Sequence, residues 1–479
     1  MLGSIPNGIF CDEASAGYDA YSILETGRDR SGTFLPLFLK SFDKYDEAFY
    51  AYLIVPFIQI FGLNEFSTRL PAAVAGILTV VVLFYLAREL FDEKIALTAA
   101  LFLCVSPWHL HFSRMAFRAI LLPLFFSLGL FFFLKSRSQK SLLLFSGISF
   151  GLSLFTYTAA RVFVPLFLLG LCLLERKHLL EHARKAVLAL IVFVFFLAPL
   201  GLFWISPEGM ARINEIGMSK TGQAAVNYFS YFDPRFLFIK GDPVPRHNAE
   251  NVGQLFWFEL PLLLIAARYH REWKYRNILL LWILLYPLPG ALSHPYHALR
   301  TIPGAPLFAM LSAFGLQRIW RASVNFRRII ATGGALIVIS TVSFYFYEYF
   351  VRYPVWSSRW WQFEMRDSIK YADQSDYDCV VLSTAFSHTY IFPLFYTSHP
   401  PAAYLNSPVD SEETGVIGKF RIESITEDSK LDSRCLYIMP GVEINQFREK
   451  YRIKDVYQVR HPDGRIALKL IQAGSARNP

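Results

Sequence analysis

Ten apolar segments fill the middle of the chain and constrain its fold more than any other feature. Crossing the hydrocarbon core of a bilayer takes about 20 mostly apolar residues, so these segments predict membrane-spanning helices. The composition agrees, because 54% of the residues are hydrophobic and only 18% are charged, whereas about a quarter are charged in soluble domains. The predicted spans are 69–90, 95–110, 116–134, 141–158, 161–174, 186–205, 255–267, 277–292, 302–318 and 328–348.

Lysine and arginine are distributed unevenly between the short connections of these spans. Alternate connections carry 17 of them, whereas the opposite set carries four, Arg114, Arg118, Arg161 and Arg300. Because cytoplasmic loops of membrane proteins are enriched in Lys and Arg, the first set is predicted to be cytoplasmic. The net charge of +9 therefore reflects loop topology, and no nucleic-acid partner is expected. The predicted cytoplasmic loops are 88–94, 135–140, 175–185, 267–276 and 317–328.

This orientation predicts three parts. Residues 1–68 form an extracytoplasmic first loop, 69–350 a transmembrane helical bundle with a large outer loop at 206–254, and 351–479 an extracytoplasmic domain. The apolar stretch 48–63 is predicted to be an interfacial or re-entrant helix, since a further span there would invert every later loop. No apolar anchor precedes the first loop, so we expect a missing first transmembrane helix and eleven helices in the intact protein.

The tail differs in character from the bundle. YDCVVLST (377–384) and RIALKLIQ (465–472) read as strands, and WWQFEMRDSIKYADQ (360–374) reads as an amphipathic helix. The expected fold class is therefore an α-helical polytopic protein of the cell membrane with a small extracytoplasmic α/β domain at its C-terminus. Cys379 and Cys435 could pair in an oxidising compartment, but unpaired thiols are the favoured interpretation.

Two acidic pairs stand in the predicted first outer loop. Adjacent carboxylates are usually only solvated, but Asp12 and Glu13 precede an apolar helix beside the bundle. A carboxylate at a membrane interface can take the proton of a hydroxyl acceptor, so Asp12 is the candidate base. Asp46 and Glu47 form the second pair, and either could hold the acceptor or the fold of the loop.

Basic and aromatic side chains cluster on the same predicted face. Headgroup anchoring is the alternative explanation for each of them. These side chains come from four separate segments, and their combination nevertheless suggests a phosphate site, because one guanidinium group can bind two phosphate oxygens at once. No metal is required by this hypothesis, and no clear metal-ligand spacing is apparent. The predicted ligands of a donor phosphate are Arg114, Arg118, Tyr157, Arg161, His297 and Arg300, with Arg246 and His247 as possible support for the acceptor or the loop.

Several stretches, in this order, resemble the GT-C membrane glycosyltransferases, in particular the branch of protein O-mannosyltransferases and the lipid A aminoarabinose transferase. The resemblance covers about residues 6 to 320, and the ordered combination carries it rather than any single motif. The stretches are GIFCDEASAGYDA, FGLNEFSTRLPAAVAGILTVVVLFYLARELF, SPWHLHFSRMAFRA, FDPRFLFIKGDPVPRHN and LLYPLPGALSHPYHALR.

The resemblance implies transfer of one sugar from a polyprenyl-phosphate donor, with inversion at the anomeric carbon. It implies that Asp12 matches the catalytic aspartate and that Glu13 supports it. The tail does not resemble the repeat domain of eukaryotic protein mannosyltransferases, so the acceptor stays open between a protein, a glycan and a lipid. The other hypotheses are a lipid or glycan transporter, which would place charges at mid-membrane, and a membrane scaffold whose outer domain binds a partner.

Overall fold

The computed structural model describes residues 1–42, 44–207, 209, 221–322, 324–406, 409–410 and 413–476. The chain divides into two compact units, which are described separately. Unit 1 comprises residues 1–71 together with 351–479, and unit 2 comprises residues 72–350. The N-terminal segment and the C-terminal domain, which lie more than 270 residues apart in sequence, are thus parts of one unit.

Helices occupy all ten predicted spans. Four helices of the described residues are long and apolar enough to cross a membrane by length and composition, namely Glu65–Leu90, Arg118–Lys135, Ala183–Trp204 and Arg327–Trp356. The shorter apolar helices are Phe49–Phe61, Leu142–Ser153, Ala160–Leu174 and Arg276–Ala291. The prediction of an α-helical polytopic fold with a C-terminal sheet domain is therefore confirmed. The membrane placement of 48–63 stays a prediction, although this stretch is helical.

The described part of unit 2 is mainly helical, and local sequence features such as proline end some of its helices. The predicted span 95–110 ends early, for example, because Pro107 cannot continue the preceding helix and instead starts the next one. The helices of this unit are the larger part of Glu65–Leu90, Glu93–Val105, Pro107–Phe112, Leu121–Lys135, Leu142–Ser153, Ala160–Leu174, Arg176–Glu181, Ala183–Trp204, Thr221–Ser230, Glu259–Arg268, Arg276–Leu285, Leu288–Ala291, Gly304–Ala322 and Arg327–Tyr347.

The predicted first outer loop is in fact a folded part of unit 1. Cys11–Thr26 is a helix that ends at Gly27, whose positive φ allows its N–H to reach the Ile23 carbonyl. Strands β1 (Phe38–Ser41) and β2 (Lys44–Glu47) follow as an antiparallel hairpin. Asp12 and Glu13 begin this helix, where its dipole favours negative charge, and the assignment of residues 1–68 to an outer segment stays a prediction.

The C-terminal part of unit 1 contains a six-stranded mixed sheet. Its strands are β3 (Cys379–Ser383), β4 (Gly415–Ile417), β5 (Phe420–Glu423), β6 (Cys435–Ile438), β7 (Tyr451–Arg460) and β8 (Ile466–Ala476), and they lie in the order β4-β5-β3-β6-β8-β7. Both predicted strands and the predicted amphipathic helix are present, as β3, β8 and Phe363–Gln374. The other helices of unit 1 are Phe49–Phe61, Tyr353–Trp356, Ile391–Tyr396, Pro401–Asn406 and Gly441–Phe447.

The helix Cys11–Thr26 belongs to the core of this C-terminal domain. Ile9, Cys11, Ala14 and Tyr18 are buried in one hydrophobic cluster with residues of the sheet and of Phe363–Gln374. A Cβ on Gly17 would lie within 3 Å of side-chain atoms of Thr68 and Phe395, so this position needs glycine for close packing. The C-terminal domain therefore positions the helix Cys11–Thr26.

Cys379 and Cys435 form a disulfide, so the favoured interpretation of unpaired thiols was wrong. The two residues are direct partners in the parallel pairing of β3 with β6. Neighbouring strands lie about 5 Å apart, and the Cα–Cα distance of 4.7 Å is within the range for a disulfide. The strand register, which the sequence alone did not provide, brings the two thiols together.

Candidate functional site

Asp12 lies on the first turn of the helix Cys11–Thr26 and is exposed, whereas its neighbours Cys11 and Glu13 are buried. The turn is fixed on both sides. The Cys11 N–H donates to the Gln362 side-chain oxygen at 3.0 Å, and the Phe10 N–H donates to Glu13 Oε2 at 3.3 Å. Asp12 is therefore an exposed residue on a rigid element, and such a placement suits a general base.

Glu13 has a different environment, although it is adjacent. Its carboxylate binds the Arg69 guanidinium through two hydrogen bonds, from Nε at 3.0 Å and from Nη2 at 2.7 Å. Both side chains have no exposed surface. Arg69 also donates to the carbonyl oxygens of Pro6 and Gly8, which holds the backbone that leads into the helix. Glu13 is thus placed to position Asp12 and is closed to a substrate.

The second acidic pair lies on β2, where Asp46 is half-buried and Glu47 is buried. The hairpin is joined to the helix of Asp12 by Arg30, which sequence reasoning missed. Arg30 donates to Asp19 Oδ2 at 3.1 Å and to the Lys40 carbonyl at 3.0 Å, and it also donates to the Ser15 hydroxyl. Burial raises the pKa of Asp19 to about 6, although Arg30 opposes the shift.

The predicted phosphate ligands all lie in unit 2, and several rest on aromatic rings. The guanidinium of Arg118 lies 5.6 Å from the ring centre of Tyr157, and that of Arg161 lies 5.8 Å from Trp204. Arg114 lies over Tyr349 and Phe350. An aromatic face attracts a guanidinium and fixes its orientation, so the rings help to position these three arginines.

Tyr231, another residue that the sequence analysis missed, connects several of these ligands. Its hydroxyl oxygen accepts the His297 N–H at 3.2 Å and its hydroxyl donates to the His294 carbonyl. Its electrostatic neighbours include Arg300 and Tyr157, and burial raises its pKa. His297 contacts the Tyr231 hydroxyl directly, and Arg300 and Tyr157 act on it electrostatically. Arg118 lies on the ring of Tyr157, and we call Arg118, Tyr157, His297 and Arg300 the Tyr231 cluster.

His297 contributes no positive charge to this cluster at neutral pH. Burial lowers its pKa well below the usual value, and His247 and Arg300 add to the effect. The rings of His247 and His297 lie 4.9 Å apart, and His247 Nδ1 is 3.0 Å from Asp242 Oδ2. The Arg246 carbonyl accepts a hydrogen bond from His111 Nε2 if that nitrogen carries the proton. Among the four residues of the Tyr231 cluster, charge therefore comes from the arginines alone.

Two groups of described residues could hold a metal ion, although the sequence analysis expected none. Asp242, His247 and His297 each offer one ligand atom, and these atoms lie within 4.8 Å of one another; the same holds for His178, Glu181 and His182. The first group draws on two segments about fifty residues apart, so no short ligand motif marks it. A carboxylate with two imidazoles is a set that suits divalent transition metals.

The comparisons agree with this architecture. Residues 48–203 match the family model of the dolichyl-phosphate-mannose-protein mannosyltransferases, whereas no curated protein sequence matches the chain. The structure is similar to that of ArnT from Cupriavidus metallidurans in the apo state, with a TM-score of 0.60, 14% identity and coverage of 98% of this chain and 95% of ArnT. The structure of the same ArnT bound to undecaprenyl phosphate matches with a TM-score of 0.62 and 14% identity, and the match covers 98% of this chain and 94% of ArnT.

The fold is thus that of the GT-C class, in which a polytopic helical bundle carries an additional domain. Residues 48–203, about a third of the chain, add the match to the mannosyltransferase family model. The resemblance inferred from the ordered sequence stretches is therefore confirmed, and the comparisons favour it over the transporter and scaffold hypotheses. The roles of individual residues stay predictions.

Proposed function

We propose that the chain transfers one sugar from a polyprenyl-phosphate donor to a hydroxyl acceptor at the extracytoplasmic face of the cell membrane. The family match and the ArnT structure with undecaprenyl phosphate support the donor class. The disulfide Cys379–Cys435 supports the extracytoplasmic side, because disulfides persist in oxidising compartments. The acceptor is a hydroxyl of a protein, a glycan or a lipid.

In this proposal Asp12 is the general base. Its carboxylate takes the proton of the acceptor hydroxyl while the acceptor oxygen bonds to the anomeric carbon from the side opposite the phosphate. The bond between the anomeric carbon and the phosphate oxygen breaks, its electron pair passes to the phosphate, and the anomeric configuration inverts. The exposure of Asp12 on a turn fixed by Glu13 and Arg69 is the observation that carries this assignment.

The arginines of the Tyr231 cluster bind the phosphate of the donor and stabilise the charge that it gains as it leaves. Arg118 and Arg300 supply charge and N–H donors, and Tyr157 orients Arg118. Arg114 and Arg161 are further phosphate ligands in the proposal. Asp46, Glu47, Arg246 and His247 support the acceptor or the surrounding segments, and the proposed mechanism has no step that requires a metal.

The decisive experiment measures release of polyprenyl phosphate from polyprenyl-phosphate sugars in membranes that contain the full chain. Asp12→Asn should lower turnover by about a hundredfold or more, the range for loss of a general base. Glu25→Gln is the matched control, because Glu25 is an exposed carboxylate on the same helix. Turnover of Asp12→Asn within a few-fold of the control would assign the base elsewhere.

A second arm tests the phosphate ligands. Arg118→Gln and Arg300→Gln should each lower kcat/KM for the donor by about tenfold to a hundredfold, the range for loss of a hydrogen bond to a charged group. Tyr157→Phe should retain most activity, because it keeps the ring beneath Arg118. Arg184→Gln, which removes an exposed charge from a predicted cytoplasmic loop, is the control. Equal loss in all four variants would contradict a specific phosphate site.

A further inference from the structure

A basic pocket of about 500 Å³ lies in unit 2, formed by the loops predicted to be cytoplasmic. Their lysines and arginines also carry the topology prediction. Four basic side chains and one acidic side chain line the pocket, together with two aromatic rings. The basic and acidic residues are Arg137, Arg271, Lys274, Arg276 and Glu175.

Aromatic contacts hold two of these cations in place. The side chains of Arg137 and Lys274 both lie against Tyr275, with distances of 5.4 Å and 5.1 Å from the cationic group to the ring centre. Arg137 also pairs with Glu175, and the Lys274 ammonium donates to the Glu89 carbonyl. Lysines and arginines that only set the orientation of a loop in the membrane need no fixed side-chain contacts. The contacts of Arg137 and Lys274 therefore indicate a binding site.

Trp273 gives an independent indication of a ligand. It lines the same pocket and its side chain is only 5% exposed. Its indole N–H nevertheless finds no hydrogen-bond acceptor among the described residues. A buried donor without an acceptor is costly, and a phosphate oxygen brought within hydrogen-bond distance of this N–H would remove the cost. Asn277 and Ile278, in the first turn of the helix Arg276–Leu285, also line the pocket, at the end that favours anions.

The surroundings indicate that the anion is carried by a lipid. The neighbouring helices Ala160–Leu174 and Arg276–Leu285 pack closely, with Gly170 against Leu281. The same two helices expose apolar side chains that acyl chains would cover. These are Leu173 (68% exposed), Leu174 (42%), Leu280 (41%) and Leu284 (58%). We propose that the pocket binds the phosphate headgroup of an anionic phospholipid, at the end of the helices opposite to the proposed catalytic face.

The test uses the full chain in phosphatidylcholine nanodiscs with and without phosphatidylglycerol, and native mass spectrometry to measure bound phosphatidylglycerol. The triple variant Arg271→Gln, Lys274→Gln and Arg276→Gln should weaken binding about tenfold or more. Trp273→Phe, which removes only the N–H donor and part of the ring, should weaken it a few-fold. The control Arg184→Gln, Lys185→Gln and Arg328→Gln removes the same charge from exposed positions outside the pocket and should bind like the parent.

Two results would overturn the proposal. Equal weakening in the pocket and control variants would mean general attraction of anionic lipid to basic loops. Full displacement of phosphatidylglycerol by millimolar inorganic phosphate would mean a site for a free anion. Elution of every variant as a monodisperse species excludes misfolding as the cause of a loss. The experiment does not depend on sugar transfer, so its outcome is separate from that of the proposed function.

Discussion

The buried pair of Glu13 and Arg69 allows a prediction with a magnitude, because its environment is well defined. Neither side chain has exposed surface, and the contact has the two parallel hydrogen bonds of an ideal carboxylate–guanidinium pair. Glu13→Gln keeps the shape but leaves one acceptor oxygen and no charge. The Arg69 guanidinium then stays buried without compensation, which costs about 3–5 kcal/mol.

The cost should appear as local opening of unit 1 rather than as global unfolding. Arg69 also holds the carbonyls of Pro6 and Gly8, so the segment that leads into Asp12 loses its attachment together with the helix. Hydrogen exchange with mass spectrometry on peptides covering 9–26 measures this opening directly. A change of 3–5 kcal/mol corresponds to faster exchange by about two to nearly four powers of ten.

The controls separate the buried charge from the mere change of a side chain. Glu25→Gln, on the exposed face of the same helix, should leave exchange unchanged. Glu13→Gln combined with Arg69→Gln should recover much of the protection, since no charge then remains buried. Acceleration of less than tenfold in Glu13→Gln, or no recovery in the double variant, would refute the reasoning from burial.

Two further predictions concern unit 1. Replacing both Cys379 and Cys435 by Ser opens a loop of 56 residues and should lower the stability of the sheet by up to about 4 kcal/mol; unchanged exchange in β3 and β6 would contradict this. Burial raises the pKa of Asp19 to about 6, above its unfolded value, so its contribution to stability is present below about pH 4 and is lost as pH rises through 6. The protection of the helix Cys11–Thr26 from hydrogen exchange should therefore fall between pH 4 and 6. In Asp19→Asn the same protection should change less over this pH range. The same change with pH in both proteins would contradict the assignment.

Periodicity and charge predicted which segments form helices and strands better than they predicted which segments contact one another. Apolar runs placed a helix at each of the ten spans, because hydrophobic length is a local property of the sequence. The strands YDCVVLST and RIALKLIQ were also predicted correctly, since a short continuous apolar run marks the first and apolar alternation at Ile466, Leu468 and Leu470 marks the second. The disulfide was judged wrongly because it depends on the register of β3 with β6, and register between distant strands is not a local property.

The candidate site shows the same division. The sequence indicated Asp12 as the candidate base and Glu13 as its support, and the fold adds the reason for the difference, because it exposes Asp12 and buries Glu13 against Arg69. Tyr231 escaped notice because a tyrosine between apolar residues has no distinctive spacing. Asp242 was not selected either, since its partner His297 belongs to another segment. In each case the missing information was a contact across tens of residues of sequence.

The shared core of unit 1 restricts how acceptor selection can be tested. Deleting the C-terminal domain is the obvious experiment, but Cys11, Ala14 and Tyr18 are buried against that domain, and the Cys11 N–H is bound by Gln362. Deletion would expose this apolar face and release the turn that carries Asp12, so turnover would be lost whether or not the domain selects an acceptor. Substitutions at exposed positions of the domain, such as Arg421 on β5, leave the core intact. If such variants change the acceptor preference while donor hydrolysis stays constant, the domain selects the acceptor; if no exposed substitution separates the two activities, its role is to hold the helix of Asp12.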